Sequence, residues 1–410
     1  MTRRMKGLLW TTAAVAAMAF QASLATAGEI LWWTPNWGEA RAKELVTKFQ
    51  AANPGITIRM EVTVADGLPT KILTALQSGN APDLIEAQHG WVTPYAQQNL
   101  IIPLDDVLKD KDDYVPAALQ YTNWNGKQWG IPYRAEVLGV IYNRGMFKAA
   151  GLDPDKPPQT WPDLIAAAKK LTGKNAAGKD QYGFAITGGG EFGNTVNRAL
   201  PFIWMNGGDL ISADMKKATV NEKAAVEGVK FYTDFLTNKL SPPSTLQNDG
   251  LANRRLFVAE TVAAYQAGVF DVPVIKKENP NIDIGVMAMP APVGKQTTAA
   301  LGGWSFVIPK GAKNPEETKK FVAFLAESNN MGFFTDTFPA RKSAMSLPRY
   351  NDPIQQAFAK MTPYGRMLPQ HKNWIQITQK FFDGVQEVLG GGDAQKAMDE
   401  AADEINTLLK

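Results

Sequence analysis

The segment IPYRAEVLGVIYN carries two charged residues, Arg134 and Glu136, whose spacing suits the binding of a polar molecule. Side chains two positions apart on a strand lie on the same face, so both could reach one ligand. The alternative is an exposed strand end with a weak ion pair, because exposed pairs contribute little to stability. We favour a ligand site, since the rest of the segment is apolar.

A second group of polar residues follows the short apolar stretch PDLIEA, where Gln88 and His89 stand next to each other. In open α/β sheets, ligands bind beyond the carboxyl ends of the strands, and this is where the two residues would lie. A single histidine serves as often as a structural hydrogen-bonding group. Both roles remain open for His89.

Tryptophan is abundant, with 11 in 410 residues, and several tryptophans stand beside glycine, proline or polar residues. A sugar ring packs its C–H face on an aromatic plane, while its hydroxyls require hydrogen-bonding side chains. The pattern predicts a sugar site, although for any single tryptophan a core position is equally well supported. In GGWSFVIPKG, Gly302 and Gly303 indicate a close backbone approach beside Trp304. The other examples are Trp37 in TPNWGE, Trp91 in AQHGWV and Trp204 in IWMNGG.

Signatures of catalysis are absent from the sequence. There is no Walker A motif, no G-x-S-x-G and no H-E-x-x-H. The run GGGEFG at 188–193 is not followed by the Lys-Ser or Lys-Thr of a phosphate-binding loop, so we interpret it as a turn beside a ligand. A glycosidase pair of carboxylates stays open, because 40 acidic residues always provide some plausible pair.

The composition also bounds the partners. With two histidines and no cysteine, a metal centre is not expected, and we predict no cofactor. The net charge of +3 comes from interspersed acidic and basic residues, which gives no support to nucleic-acid binding.

The elements that must position these residues alternate between strands and helices. EILWWT reads as a strand, a helical pattern follows around 42–49, and ITIRMEVTV alternates in the manner of a half-buried strand. Another helix around 70–78 precedes PDLIEA. This order predicts an α/β lobe with a largely parallel sheet. A chain of 410 residues is too long for a single hydrophobic core, and the sequence contains no low-complexity linker. We therefore expect two lobes joined by ordered crossings.

The N-terminus predicts export. Arg3, Arg4 and Lys6 precede an uncharged, mostly apolar stretch at 7–20, and Ala25-Thr26-Ala27 forms a small-x-small cleavage signature. The apolar stretch is shorter than the roughly 20 residues that span a bilayer. We therefore predict a cleaved signal peptide at 1–27 and a periplasmic protein, with a freely secreted protein as the alternative.

The chain resembles the family 1 extracellular solute-binding proteins, the sugar-capturing subunits of bacterial ABC importers that include the maltose- and trehalose-binding proteins. The resemblance covers essentially the whole mature chain. It rests on six stretches in the right order: GNAPDLIEA, GKQWGIPYRAEVLGVIYNRGMFKAAGL, PQTWPDLIAAAKKL, WMNGGD, FVAETVAAYQAGVF and GGWSFVIPKGAKNPEETKKFVAFLAE.

The resemblance implies a type II-like periplasmic-binding-protein fold. Each of two lobes would contain a mostly parallel sheet flanked by helices, and a hinge would join the lobes. It places residues 28–137 and about 294–338 in lobe 1, and residues 138–293 and about 339–410 in lobe 2. It also implies a monomer that binds a carbohydrate, docks to inner-membrane permease subunits, and carries out no catalysis.

Twelve ligand contacts follow from the resemblance by motif position. His89 stands where relatives often have an aspartate, and Phe270 stands where they often have a tryptophan, which bears on the identity of the sugar. The two arginines of the set would also suit an anionic sugar derivative, since arginine binds anionic groups bidentately. A secreted carbohydrate-active enzyme is the other alternative. The twelve are Asn36, Trp37, Glu39, Gln88, His89, Arg134, Glu136, Gly268, Phe270, Gly303, Trp304 and Arg341.

Overall fold

The structure, a computed structural model, describes residues 28–63, 68–335 and 337–410. The signal peptide predicted for residues 1–27 lies outside the described residues. Among the helices within these ranges, none combines the length and the apolar character that a membrane span requires.

The strands have the following bounds in chain order: β1 Glu29–Pro35, β2 Thr57–Thr63, β3 Leu84–Gln88, β4 Asn123–Trp124, β5 Lys127–Gln128, β6 Ile131–Val137, β7 Gly139–Asn143, β8 Gly173–Lys174, β9 Asp180–Gln181, β10 Ala264–Ala267, β11 Ile284–Met287, β12 Ala299–Val307 and β13 Gly365–Arg366. The α-helices are α1 Glu39–Ala52, α2 Leu68–Ser78, α3 His89–Gln97, α4 Pro116–Thr122, α5 Arg144–Ala149, α6 Trp161–Leu171, α7 Phe192–Asn206, α8 Lys223–Thr237, α9 Gly250–Val258, α10 Asp271–Glu278, α11 Pro315–Leu325, α12 Ser328–Phe334, α13 Pro353–Ala359, α14 Trp374–Leu389 and α15 Ala394–Leu408.

The first sheet has the order β13-β12-β3-β1-β2, and β6 pairs with the other edge of β12. β1 is parallel to both β2 and β3, as the alternation of strands and helices predicts. β12 returns late in the chain and inserts antiparallel between β3 and β6. The sheet therefore brings the ends of β1 and β3, the whole of β6 and the middle of β12 close together.

The second sheet differs from the predicted, mostly parallel arrangement. β7 lies between β10 and β11 and is antiparallel to both of them. Every residue of β7 and β10 is buried, so neither strand has the alternation of a half-buried strand. A continuous apolar run of this kind does not distinguish a parallel from an antiparallel partner, which explains the wrong prediction.

Two hydrophobic cores divide the molecule. The first core contains Trp32 and Phe321, and the second contains Tyr232 and Phe381. We call the elements that pack on them the first and second lobes. Among the described residues, the chain passes between the cores along β6, along β12 and again after Ala340, and these ordered crossings join the lobes.

The start of α6 shows how local sequence sets an element. Thr160 is the N-cap, and its hydroxyl accepts a hydrogen bond from the backbone nitrogen of Asp163. The same hydroxyl donates to the Asp163 carboxylate at 2.6 Å. This is the variant of the capping box that the sequence TWPDL predicts, and it fixes the beginning of the helix.

Candidate functional site

Trp304 lies at the centre of the candidate site because of its register in the first sheet. It pairs with Gln88 of β3 on one side and with Arg134 of β6 on the other. His89 begins α3 directly after β3, and Trp37 lies in the short 3-10 turn Asn36–Gly38 that follows β1. Sheet pairing therefore gathers residues that are far apart in the sequence.

Three tryptophans form one cluster in this region. The Trp37 ring lies 4.9 Å from the Trp304 ring at an interplanar angle of 69°, and the Trp91 ring lies 5.5 Å away at 74°. Trp304 is only 6% exposed and belongs to the first core. Trp304 therefore contributes to the first hydrophobic core and also forms part of the wall of the candidate site.

Arg134 and Glu136 form a buried ion pair. The distance between their closest nitrogen and oxygen is 2.6 Å, and their side chains are 6% and 10% exposed. The second carboxylate oxygen of Glu136, Oε2, is buried and has no hydrogen-bond partner among the described residues. A buried acceptor without a partner is costly, so a ligand hydroxyl that donates to it would be bound favourably.

The Arg134 guanidinium lies between aromatic rings from both lobes. Its central carbon is 5.9 Å from the ring centroid of Trp37, which packs against the first core, and 5.9 Å from that of Phe270. Phe270 directly precedes α10 in the second lobe. Both distances suit a cation–π contact. This arrangement holds side chains of the two lobes against one charged group.

Gly303 has a positive φ of 149°, and its packing explains why no larger residue stands there. A Cβ atom at this position would lie 2.2 Å from the Arg134 carbonyl oxygen and 2.3 Å from Cε1 of His89. The close approach that the sequence predicts is therefore made by the protein's own residues. Gly268 is similar, since a Cβ there would lie 2.1 Å from the Phe270 ring.

Two of the twelve predicted contacts are engaged elsewhere. Glu39 lies in the first turn of α1 and pairs with Lys43. The Arg341 guanidinium pairs with Asp113 at 2.7 Å and with Asp110 at 3.2 Å, and it donates to a backbone carbonyl of the first lobe. The described structure does not place these two side chains with Arg134, Glu136, Trp37 and Phe270, because each is held by its own ion-pair partners.

The glycine run at 188–190 serves backbone packing. A Cβ at Gly189 would lie 2.6 Å from the backbone of Gln247, and one at Gly190 would lie 2.6 Å from Asp249. The run leads into α7, whose first residue, Phe192, packs against the first core although the helix belongs to the second lobe. Sequence reasoning missed Phe192, and the aromatic residue after a glycine-rich turn was the only signal.

His89 is buried and neutral. It is 2% exposed, and its Nε2 lies 3.2 Å from the Trp304 carbonyl oxygen. Burial lowers the pKa of His89 from 6.5 to about 3. Within the described ranges, no group of three or more His, Asp or Glu side chains is arranged to hold a metal ion.

The low pKa of His89 predicts that stability falls in acid. The unfolded chain takes up a proton near pH 6.5, whereas the folded protein does so only near pH 3, so stability is lost as the pH falls below about 6.5. At about pH 5 the loss amounts to about 2 kcal/mol. Denaturant unfolding of wild type and of His89→Gln, at neutral pH and at about pH 5, measures the contribution of His89 to the loss of stability. His371→Gln is the comparison: burial also lowers the pKa of His371, but this histidine is only partly buried, so its effect should be smaller. An equal effect of the two variants would contradict the prediction.

The two lobes, with a buried charged pair between aromatic rings at their junction, define a ligand-binding protein of the two-lobed periplasmic type. The chain belongs to the bacterial extracellular solute-binding protein family, whose pattern matches residues 34–331. The predicted family and the predicted two-lobed α/β fold are thereby confirmed, apart from the strand directions of the second sheet.

Individual relatives span almost the entire chain. An ABC transporter solute-binding protein from Thermotoga lettingae, solved with α-D-tagatose bound, is 26% identical, with a TM-score of 0.85 over 93% of this chain and 100% of that one. A putative binding protein of Brucella abortus is 28% identical over 95% of each chain. The sn-glycerol-3-phosphate-binding periplasmic protein of Escherichia coli is 26% identical over 88% of this chain and 84% of its own length.

Proposed function

We propose that this protein captures a sugar, either a mono- or oligosaccharide or a glycoside derivative, and delivers it to the permease of an ABC transporter. The observation that carries the proposal is the buried Arg134–Glu136 pair, with a carboxylate oxygen that has no hydrogen-bond partner among the described residues and with an aromatic ring from each lobe beside it. The protein acts as a periplasmic monomer after removal of residues 1–27.

Lobe closure is the proposed mechanism. The proposed bounds are residues 28–137 and about 294–338 for the first lobe, and residues 138–293 and about 339–410 for the second. At the crossings, residues 299–301 pack in the second core and Ala340 packs in the first. A ligand that contacts Trp37 from one lobe and Phe270 from the other binds the closed form better than the open form. It therefore shifts the population toward closure, and the permease recognises the closed form.

The site favours an uncharged ligand. The charge of Arg134 is already compensated by Glu136, and the unpartnered Oε2 would repel an anionic group. Arg341, the second arginine of the anionic hypothesis, is occupied by Asp113 and Asp110. A polyhydroxylated neutral molecule such as the tagatose bound by the Thermotoga relative supplies the hydroxyl donors that Oε2 requires.

Binding without turnover is proposed. A glycosidase needs two carboxyl groups about 5 to 9.5 Å apart on either side of the scissile bond. The twelve predicted contacts include two acidic residues: Glu39 pairs with Lys43 on α1, and Glu136 is held by Arg134. Long incubation with chromogenic glycosides tests this directly, since release of the chromophore would support the enzyme alternative.

A thermal-shift screen tests the ligand class. We expect a neutral sugar among D-tagatose, maltose and trehalose to raise the melting temperature, because a ligand at 100 times its Kd stabilises the folded state by about 2.7 kcal/mol. sn-Glycerol-3-phosphate and galacturonic acid should leave it unchanged. Stabilisation by the anionic compounds alone would overturn the assignment of an uncharged ligand.

A further inference from the structure

Residues 366–375, which we call the connector, lead from β13 into α14 and contact both lobes. Trp374 packs in the second core, while its neighbour Ile375 packs in the first. On the first-lobe side, Thr93 Oγ1 lies 3.0 Å from Gln370 Oε1, and Gln98 Nε2 donates to the Lys372 carbonyl oxygen. The connector is therefore bound to α3 while it continues into the second lobe.

Tyr121 occupies the junction of this connector with the strand that crosses between the lobes. Its hydroxyl donates to the Leu301 carbonyl oxygen of β12 at 2.8 Å and accepts a hydrogen bond from the Leu368 backbone nitrogen at 2.6 Å. Tyr121 belongs to α4, whose Ala118 packs in the first core, yet its own side chain packs in the second core. One buried hydroxyl thus joins three segments of the hinge region.

Movement of the lobes would act on these two hydrogen bonds. Leu301 and Leu368 both pack in the second core, whereas α4 carries Tyr121 from the first lobe. A motion that moves α4 away from Leu301 and Leu368 must break at least one of these bonds, and a buried backbone group without a partner is costly. A shallow depression open to solvent lies beside the connector, and its polar lining includes Gln120, Gln128 and Gln370. The connector therefore borders solvent at Gln370.

The junction is also adjacent to the ligand site. The Tyr121 ring lies 5.1 Å from the ring of His89, whose Nε2 faces the Trp304 carbonyl. A Cβ at Gly90 would lie 3.4 Å from Leu368 and 3.5 Å from Trp374, so the start of α3 rests on the connector. A shift of α3 caused by a ligand would therefore reach the connector through direct contacts.

We infer that the two hydrogen bonds of the Tyr121 hydroxyl set the relative position of the two lobes, so that this hydroxyl affects ligand affinity without contacting the ligand. Tyr121 is thus a positioning residue. The inference rests on the lobe motion proposed above, but its decisive test needs no ligand.

The test compares Tyr121→Phe with Tyr95→Phe. Both changes remove one hydroxyl from a fully buried tyrosine, but the Tyr95 hydroxyl has no hydrogen-bond partner among the described residues. Since the chain has no cysteine, Lys43→Cys on α1 and Lys223→Cys on α8 accept spin labels without background. Distances between the labels then report the separation of the lobes in the ligand-free protein.

We expect Tyr121→Phe to shift and broaden the distribution of distances, while Tyr95→Phe matches wild type. A distribution identical to that of Tyr95→Phe would overturn the positioning role of Tyr121. If the wild-type distances are narrow and no sugar changes them, lobe closure itself fails, which is a separate result. Should Tyr121→Phe not fold, Thr93→Val removes the hydrogen bonds by which Thr93 Oγ1 holds the Tyr121 carbonyl oxygen and Gln370 of the connector. An unchanged distance distribution in that variant would contradict the inference that this junction sets the position of the lobes.

Discussion

Arg134→Met is expected to lower the free energy of unfolding by about 3–5 kcal/mol, because it leaves the Glu136 carboxylate buried without its ionic partner. The pair is held at 2.6 Å with both side chains at most 10% exposed, so water cannot replace the lost arginine. Sugar binding should be lost as well, since the cation between Trp37 and Phe270 disappears. Denaturant unfolding and titration with the sugar identified by thermal shift measure the two effects.

The double variant Arg134→Met/Glu136→Gln separates charge burial from packing. It should recover part of the lost stability, because the uncompensated carboxylate is gone, but it should not recover sugar binding. Arg59→Met is the matched control, since Arg59 pairs with Glu29 and Glu61 on an exposed strand. A similar loss of stability in both arginine variants would show that burial of the Arg134 pair is unimportant.

Trp304→Ala should abolish sugar binding and also lower the free energy of unfolding by about 3–5 kcal/mol, the range for truncation of a buried tryptophan. Trp304 is 6% exposed and contacts both Trp37 and Trp91, so its removal opens a cavity in the first core. Calorimetric titration and denaturant unfolding of the same sample give both values.

Phe306→Ala is the control that distinguishes the two roles of Trp304. Phe306 is a fully buried aromatic residue two positions along the same strand, where it packs on Trp32 and Tyr133. We expect a comparable loss of stability with sugar affinity retained. If Trp304→Ala retains its affinity as Phe306→Ala does, Trp304 is a core residue only.

The parallel part of the first sheet could be predicted from the sequence, because the residues of β2 alternate and helices separate β1, β2 and β3. β3 and β6 are buried almost throughout, so the antiparallel insertion of β12 beside them was not predicted. β7 and β10 are buried throughout and carry no such period, so the antiparallel pairing of the second sheet was not predictable.

The proximity of site residues could be predicted where it follows from their spacing on one strand. It could not be predicted where a long side chain can reach several possible ion-pair partners. The spacing of Arg134 and Glu136 correctly indicated two charges close together. Arg341 could reach several acids, and its pairing with Asp113 depends on the folded position of a crossing segment. The role of Tyr121 depends on three segments that meet only in the folded state, so no local pattern reveals it.

The late return of β12 has a consequence for the order in which the molecule can fold. His89 and Trp304, which meet in the first sheet, are 215 residues apart in the chain. The strand order of the second sheet involves β7, β10 and β11, all of which precede β12. Contacts between distant residues form slowly because a large loop must close first. During synthesis from the N-terminus, the first lobe therefore stays incomplete until β12 is available, although its first three strands are the earliest to be made.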